Sequence, residues 1–128
     1  MIFMLDTHMI LWAAQDSNRL SMRARSLLSE PTHGFMFSAA VIWEVSVKTQ
    51  RGTPDFDVDP RLLRRGLLAN GYTELAITTE HTLALLDLPD IHRDPFDRIQ
   101  VAQARVEGLV LLTNDDVLAT YGSPVELV

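Results

Sequence analysis

With 128 residues, 47% of them hydrophobic, the chain is long enough for a single domain, residues 1–128, whose core covers both faces of a sheet. Cysteine is absent, which excludes disulfides, thiolate metal sites and cysteine nucleophiles, and no apolar run approaches the ~18 residues that a membrane span needs. The expectation is a soluble, cytoplasmic protein with no membrane contact. The net charge of −6 argues against a diffuse electrostatic grip on a phosphate backbone, unless carboxylates converge on a divalent cation that reverses the local sign.

In chain order, the apolar run Ile2-Phe3-Met4-Leu5 ending at Asp6-Thr7 predicts a buried strand followed by a helix start. Helices are expected over His8–Ala14 and Ser21–Ser29, the second broken by Pro31, His33 and Gly34. Phe35-Met36-Phe37 predicts a second strand, and Ser38 caps a helix over Ala39–Gln50 that carries Glu44. After a polar loop from Gly52 to Pro60, Asp59 and Pro60 start a helix over Arg61–Ala69. A third strand is expected at Leu75-Ala76-Ile77, and a helix capped by Thr79 runs through Leu86. The turn-rich Pro89–Pro95 leads into a helix from Phe96 to Glu107, stopped by Gly108, and Leu109–Leu112 forms the next strand. A short helix after Asp116 and an edge strand at Val125–Leu127 close the chain.

Short apolar strands alternating with amphipathic helices predict an α/β domain in three α/β/α layers around a mainly parallel sheet of about five strands. Ligands in such sheets gather at the carboxyl ends of the strands, which places Asp6 and Asp115 on one edge. Each aspartate also has a plainer role. Asp6, Asp94 and the Asn114-Asp115-Asp116 run can cap helices, and Asp97 can close a capping box with Asp94. Glu44 does not fit that account: it lies inside a helix among Ala40, Val41 and Val47, where a carboxylate is costly without a partner. Its partner is either Lys48 at i+4 or a metal and acid cluster. The scattered His8, His33, His81 and His92 show no zinc spacing and read as surface or turn residues, and Trp12 and Trp43 read as core or interface aromatics.

Oxygen donors suit a hard divalent ion, Mg²⁺ or Mn²⁺, and such a site would support hydrolysis of a phosphodiester. The order Met-Leu-Asp6-Thr7, a helical Glu44, the block His92-Arg93-Asp94-Pro95-Phe96-Asp97-Arg98-Ile99, and Leu111-Leu112-Thr113-Asn114-Asp115 resembles the PIN-domain family, within it the VapC-like toxins of toxin–antitoxin pairs. The resemblance spans essentially the whole chain. It implies Mg²⁺- or Mn²⁺-dependent endonucleolytic cleavage of RNA, with Asp6, Glu44, Asp97 and Asp115 as the catalytic acids. Asp94 is an additional metal ligand, and Asp116 competes with Asp115 for the fourth place. It further implies a cognate antitoxin, a homodimer and a hetero-oligomer with that antitoxin, and DNA met only indirectly through it. Thr113 and Arg98 are candidates for substrate contact, with Arg93 and Lys48 as further phosphate contacts. Two alternatives stand beside this one: a catalytically inactive PIN-like module that binds a partner or RNA, and a phosphatase with Asp6 as covalent nucleophile. The latter lacks the expected aspartate two residues on, where His8 stands.

Overall fold

A computed structural model describes residues 1–128. Five strands, β1 (Ile2–Leu5), β2 (Gly34–Ser38), β3 (Thr73–Leu75), β4 (Val110–Thr113) and β5 (Val125–Leu127), form one sheet in the order β3-β2-β1-β4-β5. Every pairing is parallel. The chain builds outward from β1 to one edge through β2 and β3, then returns to the other side of β1 for β4 and β5. This reversal opens a crevice at the carboxyl ends of β1 and β4. The Asp6 amide donates to the Leu112 carbonyl at 3.1 Å, carrying the ladder one residue past β1.

The helices are α1 (Thr7–Ala14), α2 (Met22–Ser29), α3 (Ala39–Gln50), α4 (Pro60–Ala69), α5 (Thr79–Ala84), α6 (Pro95–Glu107) and α7 (Asp116–Ala119). Alternation along β1 sends Phe3 and Leu5 to one face and Met4 to the other. The first face packs against Ile10, Val41, Leu63 and Leu67 of α1, α3 and α4, and the second against Val101, Ala102 and Leu118 of α6 and α7. Apolar side chains cover both faces of the sheet, which is why these strands read as continuous apolar runs.

Local chemistry accounts for most boundaries. Ser21 caps α2 through the Ala24 amide at 3.0 Å, and Asp59 caps α4 through Arg61 at 2.8 Å, with Pro60 in the first turn. Gly108 ends α6 at φ +68°, a left-handed position that a side chain would strain. The third strand lies earlier than expected: Leu75 pairs with Ser38, the last residue of β2, and beyond it Ala76 gives its carbonyl to the Gln103 side chain at 3.3 Å. Thr78, not Thr79, then caps α5, exchanging hydrogen bonds with His81. The helix expected to reach Leu86 ends at Ala84 in a 3-10 turn over Leu85–Asp87.

Phe37 of β2 is completely buried. Truncating it in the variant Phe37→Ala is expected to destabilise the fold by about 3–5 kcal/mol, because the close-packed layer above it cannot fully collapse. Chemical denaturation of the variant and the parent checks this.

Candidate metal centre

The crevice at the β1 and β4 ends has a volume of about 600 Å³, and six acids line it beside Lys48, Arg19, His8 and His92. Asp6, Glu44, Asp94, Asp97, Asp115 and Asp116 all reach it. They arrive from the start of α1, the middle of α3, the start of α6 and the start of α7, so the fold brings together acids that are far apart in sequence.

Three of them also cap helices, as their positions suggested. Asp6 Oδ1 accepts from the Met9 amide at 2.9 Å, Asp94 Oδ1 from Phe96 at 2.8 Å, and Asp115 Oδ1 from Val117 at 2.8 Å. Capping uses one oxygen in each case. The other oxygen of Asp6 accepts from the Thr113 hydroxyl, and that of Asp115 lies 3.4 Å from His92 Nε2. The N-termini of α1 and α6 therefore aim their positive dipole ends into the acid-lined space.

Asp97 departs from the capping account. The Asp94 amide, which a capping box would offer to Asp97, donates to His92 Nδ1 at 3.1 Å. The Asp97 carboxylate turns into the crevice, with Oδ2 3.2 Å from His92 Nε2. Burial pushes its pKa up to about 8, and the carboxylates of Asp94, Glu44, Asp6 and Asp115 push in the same direction. Burial likewise raises Asp6, opposed by its hydrogen bonds from Thr113 and Met9.

Glu44 is 2% exposed, and both of the partners that would make burial tolerable are present. Oε1 accepts from the Thr7 hydroxyl and Oε2 from Lys48 Nζ one turn along α3. The i+4 pair and the acid cluster are thus not exclusive: Lys48 neutralises one side of a carboxylate that still lines the crevice. Gln100 donates to the Thr7 hydroxyl at 3.3 Å, fixing that hydroxyl from α6.

Asp115 and Asp116 separate cleanly. Asp115 faces His92, whereas Asp116 is exposed in the first turn of α7 at the mouth of the crevice. The two residues expected to touch substrate sit elsewhere. Thr113 is fully buried, donating to Asp6 and accepting from the Asp115 amide at 2.9 Å, so it aligns two acids. Arg98 directs its guanidinium away from the crevice, to the Pro89 carbonyl at 3.1 Å, the Tyr121 hydroxyl at 3.1 Å and the His92 and Leu85 carbonyls at 3.4 Å. It braces the loop that presents His92.

His92, read from the sequence as a surface or turn histidine near the proposed site, lies inside the crevice. Its Nδ1 accepts from Asp94, which leaves Nε2 as the donor between Asp97 and Asp115. One donor atom from each of His92, Asp97 and Asp115 falls within a 4.8 Å group. The signal lay in its place two residues before a helix cap, where an imidazole can accept the cap's own amide. Trp43, read as core or interface, is 53% exposed.

The donor set fits a hard divalent cation: carboxylate oxygens converging in a crevice where one of them, Asp97, otherwise holds a proton at neutral pH. A raised carboxyl pKa means that the folded chain binds more protons than the unfolded one between about pH 4 and 8, so this contribution to stability is lost as pH rises through that window. In chelator, Asp97→Asn is expected to melt a few degrees above the parent at pH 8, with the difference closing toward pH 4. Excess Mg²⁺ should raise the parent and reverse the order. Thermal melts across pH with and without Mg²⁺ read both effects, and a variant no more stable than the parent at pH 8 in chelator would contradict the burial argument.

Comparison with known proteins locates the chain. Residues 3–123 match the family model of the PIN domain. A search of curated proteins gave no match. Among solved structures, VapBC2 from Rickettsia felis, bound to a DNA fragment from its promoter, superposes with a TM-score of 0.68 at 15% identity, covering 100% of this chain and 98% of that one. VapBC-1 from nontypeable Haemophilus influenzae gives 0.68 at 18% identity, with 100% and 97% covered. Mycobacterium tuberculosis VapC20, a toxin that cleaves the sarcin-ricin loop, gives 0.61 at 20% identity, with 95% of each chain covered. The likeness in fold thus runs the full length of the chain, and with the family model matched over residues 3–123, the chain belongs to the PIN-domain family.

Proposed function

We propose that this chain is an endoribonuclease dependent on Mg²⁺ or Mn²⁺ and the toxin of a toxin–antitoxin pair. The observation that carries the reading is the convergence of Asp6, Asp97 and Asp115, with Asp94 and Glu44 beside them, in one strand-end crevice. Asp6 and Asp97 would be the principal ligands, and Glu44, Asp94 and Asp115 would complete the negative pocket directly or through water. A cation held there supplies charge neutralisation for a phosphodiester and acidifies a water at neutral pH.

The chain's own groups do the positioning. Thr113 and the Met9 amide fix the two oxygens of Asp6, so this carboxylate is pre-set and not recruited on binding. Thr7 and Lys48 hold Glu44 in the same manner. His92, carried on the loop braced by Arg98 and Tyr121, donates from Nε2 between Asp97 and Asp115 and bridges the two carboxylates. Loss of the Asp97 proton readies the pocket for the cation, so activity should rise with pH through the neutral range.

The nucleophile alternative draws less support. Both oxygens of Asp6 are engaged by donors, and His8, two residues on, packs its ring against Trp12 and Phe56 at 5.9 and 5.7 Å. For the antitoxin, the candidate seat is the crevice of about 740 Å³ beside α2 and α4, lined by Leu20, Leu28, Leu63, Leu67 and Tyr72. Leu28 of α2 is only partly buried there, whereas Leu20, Leu63 and Leu67 also belong to the core.

Incubation of pure protein with single-stranded RNA and Mg²⁺ or Mn²⁺ is expected to give endonucleolytic cleavage. Chelator should abolish it, and Asp6→Asn should lower it roughly a hundredfold or more. Cleavage that survives either control would overturn the metal-nuclease reading.

A further inference from the structure

The rim of the acid crevice on the α3 side has a different character from its floor. Trp43 on α3 is 53% exposed and stands against Phe96 of α6, with ring centroids 4.6 Å apart and planes at 78°. Around the pair run Lys48, Arg51 and Arg93, which with Val47, Asp94 and Pro95 enclose a shallow recess of about 600 Å³. This recess shares Lys48 and Asp94 with the acid crevice, so the two are continuous.

Three features define what the recess can receive. An edge-to-face partner holds the exposed indole in place, so its free surface is already oriented. Arg51 and Arg93 are exposed and have no carboxylate within 4.0 Å, unlike Arg19, Arg23, Arg25 and Arg64. Unpaired cations beside the acids, on a chain of net charge −6, complement a ligand that carries negative charge along its length. A rigid aromatic surface flanked by free guanidinium groups matches a flat ring attached to phosphates.

Resting on the ribonuclease reading of the adjoining crevice, we infer that Trp43, supported by Phe96, is a stacking subsite for a base of single-stranded RNA, one nucleotide step from the phosphodiester at the acids, with Arg51 and Arg93 on the flanking phosphates. Stacking tolerates any base, so the subsite selects for an unpaired nucleotide and not for a sequence. Double-stranded RNA, whose bases are already stacked, is excluded from it.

The test uses the full chain in a Trp12→Phe background, so that Trp43 is the sole indole. It is titrated with a short single-stranded oligoribonucleotide, and separately with an abasic chain of the same length, in Ca²⁺ with the RNA verified intact on a gel. The expected result is saturable quenching of Trp43 by the base-bearing RNA and little by the abasic chain. Measured by RNA anisotropy, Trp43→Ala should weaken affinity about tenfold and Trp43→Phe much less, given the usual strength of base–aromatic stacking. Arg51→Gln or Arg93→Gln should each reduce the slope of log affinity against log salt by about 0.7. Equal quenching by both chains, or unchanged RNA affinity in Trp43→Ala, overturns the inference. If that variant instead alters the sedimentation of the protein while RNA affinity holds, the face is an interface between copies and the inference also fails. Cleavage without quenching removes the subsite alone, whereas quenching without cleavage removes the nuclease reading and leaves the subsite standing.

Discussion

Like charges buried side by side repel, and burial in a low dielectric makes each of them costlier still; this fold places several carboxylates in that position at once. The sheet order β3-β2-β1-β4-β5 opens a crevice beside β1 where its neighbours diverge, and the starts of α1, α6 and α7 all meet there. The helix ends relieve part of the repulsion through amide donors to Asp6, Asp94 and Asp115. What they leave unrelieved collects on Asp97, held protonated to about pH 8. A divalent cation bound among these carboxylates would remove that residual cost.

The polar residues around the crevice share one purpose, to fix carboxylates before anything binds. Thr113, Thr7, Gln100 and His92 are all half-buried or buried, and each is hydrogen-bonded to an acid or to a residue that holds one. Arg98 and Tyr121 do the same one step further out, through the loop that carries His92. Pre-set ligands lose little freedom on binding.

Much of this was legible in the sequence because local rules and tertiary structure agree. Continuous apolar strand runs, the helix starts at Ser38 and Asp59, and the Gly108 stop are written in residues that act within their own segment. Asp6, Glu44, Asp94, Asp97 and Asp115 could be selected as a set, and the structure brings that set together. The misplacement at β3 came from apolar residues that read as a strand, while the true limit is set by pairing with Ser38, a long-range fact. Side-chain direction was not legible. Arg98, a candidate for phosphate contact, turns to carbonyls of the 85–92 segment, and His92, read as a turn histidine near the site, sits between two carboxylates. Nothing in residue type or spacing encodes those directions.

Anomalous diffraction from crystals soaked in Mn²⁺ shows whether these acids converge on a divalent ion. A peak is expected in the crevice within coordination distance, about 2.0–2.3 Å, of the Asp97 carboxylate and at least one of Asp6 and Asp115, absent from Asp97→Asn crystals. A peak bound only at exposed carboxylates such as Asp116, or none at millimolar Mn²⁺ above pH 8, would contradict that convergence.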